Sequence, residues 1–219
     1  MCGIFGYFSR SRISDSKKFL LKKTSNYLLE RGPDYLGSIR KSNYFLANSR
    51  LKIVSKKDID IPVHKHQCYI SFSGEILNFK QLKISLKQVG YNFFSDSDTE
   101  VILSLYDYYD LDFVKYLRGF FSIAIYDIKK NKLILAVDRM GNKSIFYNYN
   151  NRNLLFSSQQ SYLIRSNFKF LQGILSKWLS IFWTFCFGFD LCNKSLNGEQ
   201  NITFSGFVFK IISSASPAS

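Results

Sequence analysis

Histidine, proline and tryptophan are scarce in this chain, with two, three and two of them among 219 residues. His64 and His66 are the only imidazoles, and Cys2, Cys68, Cys186 and Cys192 are far apart with no CxxC pair, so neither a zinc site nor a disulfide framework is supported. Acidic residues are also few: 16 Asp and Glu face 30 Lys and Arg, a formal charge of +14. That excess draws a protein towards nucleic acid or anionic membrane. Yet the basic residues are scattered, with no zinc finger, RRM-like signature or continuous basic helix, so the charge reads as solvated surface and no nucleic-acid partner is expected. No apolar run approaches the roughly 20 residues a helix needs to cross a bilayer. The uncharged aromatic stretch Trp178 to Phe189 is too short, and no stable membrane insertion is expected. A signal-peptide core is missing too, since residues from Ser9 to Lys18 are already polar and basic, which points to the cytoplasm.

What is present is a chain that is 46% apolar, ample for the core of one domain or slightly more. Cys2 to Phe8 reads as a buried strand opened by Gly3 and Gly6. Ser16 to Leu29 has helical spacing and stops before Pro33, which cannot extend it. Short strands follow at Tyr44 to Ala47, Cys68 to Ser73, Ser122 to Tyr126, Lys132 to Val137 and Leu154 to Ser157, several of them continuous apolar runs of the kind covered on both faces. Helical patterns lie at Asn78 to Val89 and Thr99 to Tyr109, the second led by the capping residues Asp96, Ser97 and Asp98. Strands in hairpin order with helices between them predict two stacked sheets sandwiched by helices.

The chemistry sits in the breaks of this pattern. Cys2 has only the initiator Met ahead of it. Once Met1 is removed, one residue carries both a thiol nucleophile and a free α-amine, which ordinarily titrates near pH ~8 and is able to relay the proton. The plainer reading is a small apolar residue at the start of a strand. Four polar islands interrupt the apolar runs: Arg31-Gly32-Pro33-Asp34, Asn48-Ser49-Arg50-Leu51, Ser73-Gly74-Glu75 and Ser97-Asp98-Thr99-Glu100. A guanidinium and a carboxylate together hold both ends of a free α-amino acid, and a glycine offers an unhindered N–H to an oxyanion. Singly, these islands read as a turn, a surface charge and a helix cap; jointly, with Cys2, they are hard to explain so.

On MCGIFGYF at 1–8, RGPD at 31–34, LANSRLKIV at 46–54, SGEILN at 73–78, SDTEVILSLY at 97–106, LRGFFSIAIYD at 117–127, AVDRMGNKSIFY at 136–147 and FSSQ at 156–159, the sequence resembles the class II glutamine amidotransferases. These are N-terminal-nucleophile glutaminases, and the likeness is in particular to the glutaminase domain of glutamine-hydrolysing asparagine synthetases. The resemblance implies an α+β fold, a four-layer αββα sandwich of N-terminal-nucleophile hydrolase type, over residues 1–165. It implies hydrolysis of the glutamine side-chain amide: Cys2 attacks the amide carbon, a γ-glutamyl thioester forms, ammonia leaves and water frees the enzyme. Arg50 matches the residue that binds the substrate carboxylate, with Leu51, Lys52, Ile53 and Val54 lining the pocket. Asp98 matches the ammonium-binding residue, and Ser73, Gly74 and Glu75 match the oxyanion and side-chain recognition loop. No cofactor is implied for the glutaminase itself.

Departures accompany these matches. Ser73 stands where the family usually has an Asn whose side-chain amide donates to the oxyanion, Leu77 replaces Tyr, Ser144 replaces Pro and Gln159 replaces Glu. After residue 150 no Gly-rich pyrophosphate loop follows, so the ATP- and magnesium-using synthetase domain of such enzymes is missing here. Residues 166–219 are expected to be an apolar linker or truncated remnant with a frayed tail. Ammonia made without an acceptor is wasted, so a separate synthetase subunit is an expected partner. The second reading is a catalytically impaired glutamine-binding regulatory or remnant module.

Overall fold

The computed structural model describes residues 2–51, 61–150, 153–166, 171–175, 199–204 and 207–212, the last three stretches as backbone only. Strand β1 (Gly3–Ser9) is buried along its whole length: Ile4 and Phe8 face one side, Phe5 and Tyr7 the other. Apolar residues on both faces, at the strand period of two, place β1 inside a sheet with a layer on either side. It pairs antiparallel with β3 (Tyr44–Arg50) and β9 (Asn153–Ser157). Strands β2 (Tyr35–Arg40), β8 (Ile145–Asn150) and β10 (Leu171–Leu175) complete the first sheet, in the order β10-β8-β9-β1-β3-β2. The second sheet holds β4 (Val63–Lys65), β5 (Cys68–Ile76), β6 (Gly119–Asp127), β7 (Lys132–Val137), β11 (Glu199–Phe204) and β12 (Phe207–Ile212), ordered β11-β12-β7-β6-β5-β4.

Three apolar clusters define four layers among the described residues. Ile4, Phe8, Leu46 and Phe156 of the first sheet meet Ala124, Tyr126, Leu135 and Val137 of the second, so the sheets pack face to face. The outer face of the first sheet, with Phe5, Tyr7 and Phe45, is covered by Leu21 of helix α1 (Asp15–Ser25), by Leu28, and by Tyr162 and Leu163 of α4 (Gln160–Arg165). The outer face of the second, with Ile70, Ile123 and Ile125, is covered by Leu86 of α2 (Phe79–Gln88) and by Val101, Ile102 and Leu105 of α3 (Asp98–Tyr109). The fold is thus the expected α+β sandwich, in αββα order.

The predicted helix over 16–29 is broken. Ser14 caps α1, its hydroxyl accepting the Lys17 N–H at 3.4 Å, and residues 26–30 tighten into a 3-10 turn that carries Leu28 under the sheet. The polar islands at Asn48 to Arg50 and at Ser73 to Glu75 lie within strands, not in loops beyond them. The ladder continues through Ser73↔Ser122, Gly74↔Phe121 and Ile76↔Gly119, so polar side chains here do not end the pairing. Gly74 (φ 145°) and Gly119 (φ 152°) make this possible. A Cβ on Gly74 would run into the Phe120 carbonyl oxygen, and one on Gly119 into that of Glu75, so neither position admits a side chain without moving the other strand. Between residues 166 and 219, β10 adds to the first sheet beside β8 and β12 to the second, parallel to β7. The aromatic stretch Trp178 to Phe189, Cys186, Cys192 and the predicted frayed tail from Ser213 lie outside the described residues. No helix among the described residues is long and apolar enough to cross a membrane.

Candidate active site

Cys2 stands one residue before β1, half-buried, with its thiol in no disulfide. The backbone around it is tied from three directions. The Gly3 N–H donates to the Ser49 hydroxyl at 3.0 Å, and that hydroxyl donates to the Leu28 carbonyl at 2.9 Å. The Ser73 hydroxyl, on the opposite sheet, donates to the Cys2 carbonyl at 2.8 Å. The third tie is Asn48, buried in the middle of β3, whose amide donates to the Gly3 carbonyl at 2.8 Å and to the Phe72 carbonyl at 3.2 Å, while its oxygen accepts the Phe72 N–H at 3.2 Å. One side chain therefore spans the two sheets and fixes the residue after Cys2 against the residue before Ser73. Motif reading placed Asn48 in a polar island without giving it this role; the signal was an amide inside an otherwise apolar strand.

Asn48→Ala would leave buried carbonyls and an N–H without a partner, each worth about 1–3 kcal/mol. We expect a loss of roughly 3–5 kcal/mol in chemical denaturation.

Arg50 ends β3. The β1 and β3 register, Gly3↔Ser49, continued by one residue sets Arg50 level with Cys2. The Arg-Gly-Pro-Asp turn is laid against this strand end: Pro33 bridges to Arg50, and the Asp34 N–H donates to the Arg50 carbonyl at 3.2 Å. Asp98 begins α3 behind its cap Ser97, and a carboxylate oxygen accepts the Ile76 N–H at 3.4 Å, which brings Asp98 to the end of the Ser73-Gly74-Glu75 strand. Burial is the main influence on its carboxyl and pushes it above the ordinary range, aided by Glu75 and opposed by hydrogen bonds from Ile76 and Thr99. The rest of that island is structural: Glu100 is buried and accepts from Lys65 at 2.8 Å and from Phe94 and Ser95, which together outweigh its burial and hold its carboxyl low. Leu51 is half-buried after β3, while Lys52, Ile53 and Val54 lie outside the described residues.

Two features went unread in the sequence. Asp138, buried, accepts from the backbone N–H groups of Phe121, Met140, Asn142 and Lys143, at 2.9 to 3.2 Å, and so shapes the loop that presents Lys143. Burial first, and the Arg31 guanidinium next, bring the Lys143 ammonium below its ordinary value against the opposing pull of Cys2 and Asp138. The Cys68 thiol, by contrast, is buried in the second sheet and pushed up to about 12, which leaves it a packing residue. Among the described residues no group of three or more His, Cys, Asp or Glu is placed to hold a metal.

The four-layer αββα sandwich, with a cysteine just before a central strand, has the fold of the N-terminal-nucleophile hydrolase class. Within that class, the chain belongs to the glutamine amidotransferase domain family, whose pattern matches residues 1–186. Among curated proteins it is similar to asparagine synthetase [glutamine-hydrolyzing] 1 of Arabidopsis thaliana, 33% identical over 67% of this chain and 25% of that one. It is also similar to asparagine synthetase [glutamine-hydrolyzing] 1 of Bacillus subtilis (strain 168), 31% identical over 75% of this chain and 27% of the relative. The chain thus spans about a quarter of the length of these relatives. Among solved structures, glutamine phosphoribosylpyrophosphate amidotransferase from B. subtilis superposes with a TM-score of 0.64 at 16% identity, covering 80% of this chain and 47% of that one. That likeness is one of fold.

Proposed function

We propose that this chain is a glutaminase domain of asparagine synthetase type, which hydrolyses the side-chain amide of glutamine to glutamate and ammonia through Cys2 once Met1 has been removed. What supports this reading is the Ser73 hydroxyl bonded to the Cys2 carbonyl, with Arg50 level with Cys2 on β3 and Asp98 bonded to the Ile76 N–H at the end of the Ser73-Gly74-Glu75 strand. In this reading the thiol attacks the amide carbon while the α-amine of Cys2 takes its proton and delivers it to the departing ammonia. Water then cleaves the thioester. Arg50 grips the α-carboxylate, Asp98 the α-ammonium, and Glu75 with Leu51 to Val54 borders the side chain. The Gly74 N–H faces the oxyanion, beside Ser73, whose hydroxyl holds the Cys2 carbonyl. The glutaminase domain ends near residue 165 and needs no cofactor. The ammonia is destined for asparagine formation from aspartate with ATP and magnesium, in a synthetase domain, within the cytoplasm. The test is the intact mass before and after a γ-diazoketone analogue of glutamine: loss of Met1 and one glutamine-protected adduct on Cys2 support the reading. A folded chain with no adduct favours the impaired glutamine-binding module.

Asp98 gives a second check. Its carboxyl is raised in the fold, so its ionised form opposes folding: the favourable contribution is complete below the unfolded pKa and lost as pH rises through the folded one. Asp98→Asn is therefore expected to raise the melting temperature at neutral pH. The same change removes a charged acceptor for the ammonium, worth about 1.5–3 kcal/mol, so glutamine affinity should fall roughly 10- to 100-fold by calorimetry.

A further inference from the structure

The loop of residues 91–97 leads into α3 and so sets where Asp98 stands, and polar clamps hold it more than packing does. Phe94, in its middle, is 94% exposed. Two lysines reach the loop from other elements. The Lys65 ammonium, from β4, donates to the Asn92 carbonyl at 2.7 Å and to Glu100 at 2.8 Å. The Lys83 ammonium, from α2, donates to the Ser95 carbonyl at 2.8 Å and to Asp96 at 2.5 Å. Both stand over the Phe93 ring, 4.5 and 5.5 Å from its centre. Ser97 and Glu100 have the spacing of a capping box, in which the glutamate would accept the Ser97 N–H. Glu100 instead reaches further back, to the N–H groups of Phe94 and Ser95 at 3.1 Å and the Ser95 hydroxyl at 2.8 Å, while the Ser97 N–H donates to the Ser95 oxygen at 3.3 Å. Glu100 is buried. Burial disfavours its charge, and its bonds to Lys65, Phe94 and Ser95 outweigh that. Asp98 itself is held loosely: the Ile76 N–H and the Thr99 hydroxyl each donate to it at 3.4 Å. Its place is therefore set by where α3 begins, and that start is fixed by Glu100 and, through it, by Lys65.

We propose that Lys65 and Glu100 are positioning residues for the glutamine site, holding Asp98 where it meets the α-ammonium of the substrate. The proposal rests on the glutaminase reading, in which neither residue touches glutamine. The test is calorimetry on the full chain carrying Cys2→Ala, so that nothing turns over, with glutamine and with glutarate monoamide, the same molecule without its α-ammonium. Lys65→Met should weaken glutamine binding about tenfold, the scale of one impaired charge-assisted contact, and leave the monoamide unchanged. Glu100→Gln should do the same, and the double variant should be no worse than either single one, because both act through one contact. Lys65→Arg, which keeps a cation able to donate to both Glu100 and Asn92, should restore the parental preference. If Lys65→Met does not fold, Lys65→Gln, which keeps N–H donors without the charge, carries the same expectation. A role in stability alone would change both affinities alike or neither, and either result overturns the proposal. A parent chain that binds glutamine no better than the monoamide would overturn the assignment of Asp98 to the ammonium, and one that binds neither ligand would overturn the glutaminase reading, each taking the proposal with it.

Discussion

Cys2→Ala is expected to yield a folded protein that binds glutamine and hydrolyses none of it. The contacts that fix this end of the chain are made by backbone: the Gly3 N–H to Ser49, the Gly3 carbonyl from Asn48, and the Cys2 carbonyl from Ser73. None uses the thiol, so its removal leaves the strand in register. Nor can another described cysteine replace it, because the Cys68 thiol is buried and pushed up to about 12. Removing the nucleophile of a hydrolase lowers kcat by roughly a millionfold. Glutamate release should accordingly fall to background, while calorimetry with glutamine should give an affinity close to that of the parent, since Arg50 and Asp98 are untouched. Hydrolysis at the parental rate by the variant would remove the mechanism altogether.

The layers of this fold were legible because its strands are buried on both faces. Ile-, Leu- and Ala-rich runs such as Ser122 to Tyr126 and Lys132 to Val137 have no solvent side, and only a sandwich with helices outside can cover them. Elements that follow weaker rules were missed. Strand β2 is half-exposed and alternates loosely, and β8 carries Asn148 and Asn150 among its aromatics, so neither shows a clean apolar run. The predicted strands stop at Ala47 and Ser73, where polarity reads as a strand end, so Asn48 to Arg50 and Gly74 to Ile76 fall beyond them. In the structure, Asn48 and Ser73 are polar within continuous ladders, since each makes a hydrogen bond to a strand of the other sheet or to the residue just before it. Such cross-sheet contacts join residues distant in sequence and leave no local period to read. Asp138 is the same case within a loop: its partners are four backbone N–H groups and the Asn142 side-chain amide, which no hydrophobic period reveals.

Ser73→Asn is expected to raise kcat by about a hundredfold, with KM little changed. A serine hydroxyl has one proton, and in Ser73 that proton is given to the Cys2 carbonyl at 2.8 Å. It holds the nucleophile's residue in place and is not free for an oxyanion at the same moment. A carboxamide has two N–H donors on a longer arm, so one can keep the Cys2 carbonyl while the other reaches the tetrahedral intermediate. Ser73, though buried, borders a cleft of about 490 Å³ lined by polar side chains such as Asn142, Ser144 and Gln159, and the longer side chain can extend that way. One oxyanion donor is worth about 2.7–4 kcal/mol, or a factor of roughly 10² to 10³. The gain should fall on kcat because the new bond forms only as negative charge develops. Ser73→Ala separates the two roles: it loses the hold on Cys2 and gains no donor, so its kcat should drop below that of the parent. If Ser73→Asn instead matched Ser73→Ala, the hydroxyl's service to the Cys2 backbone would outweigh any missing donor, and the oxyanion would have to be met by the Gly74 N–H and its neighbours alone.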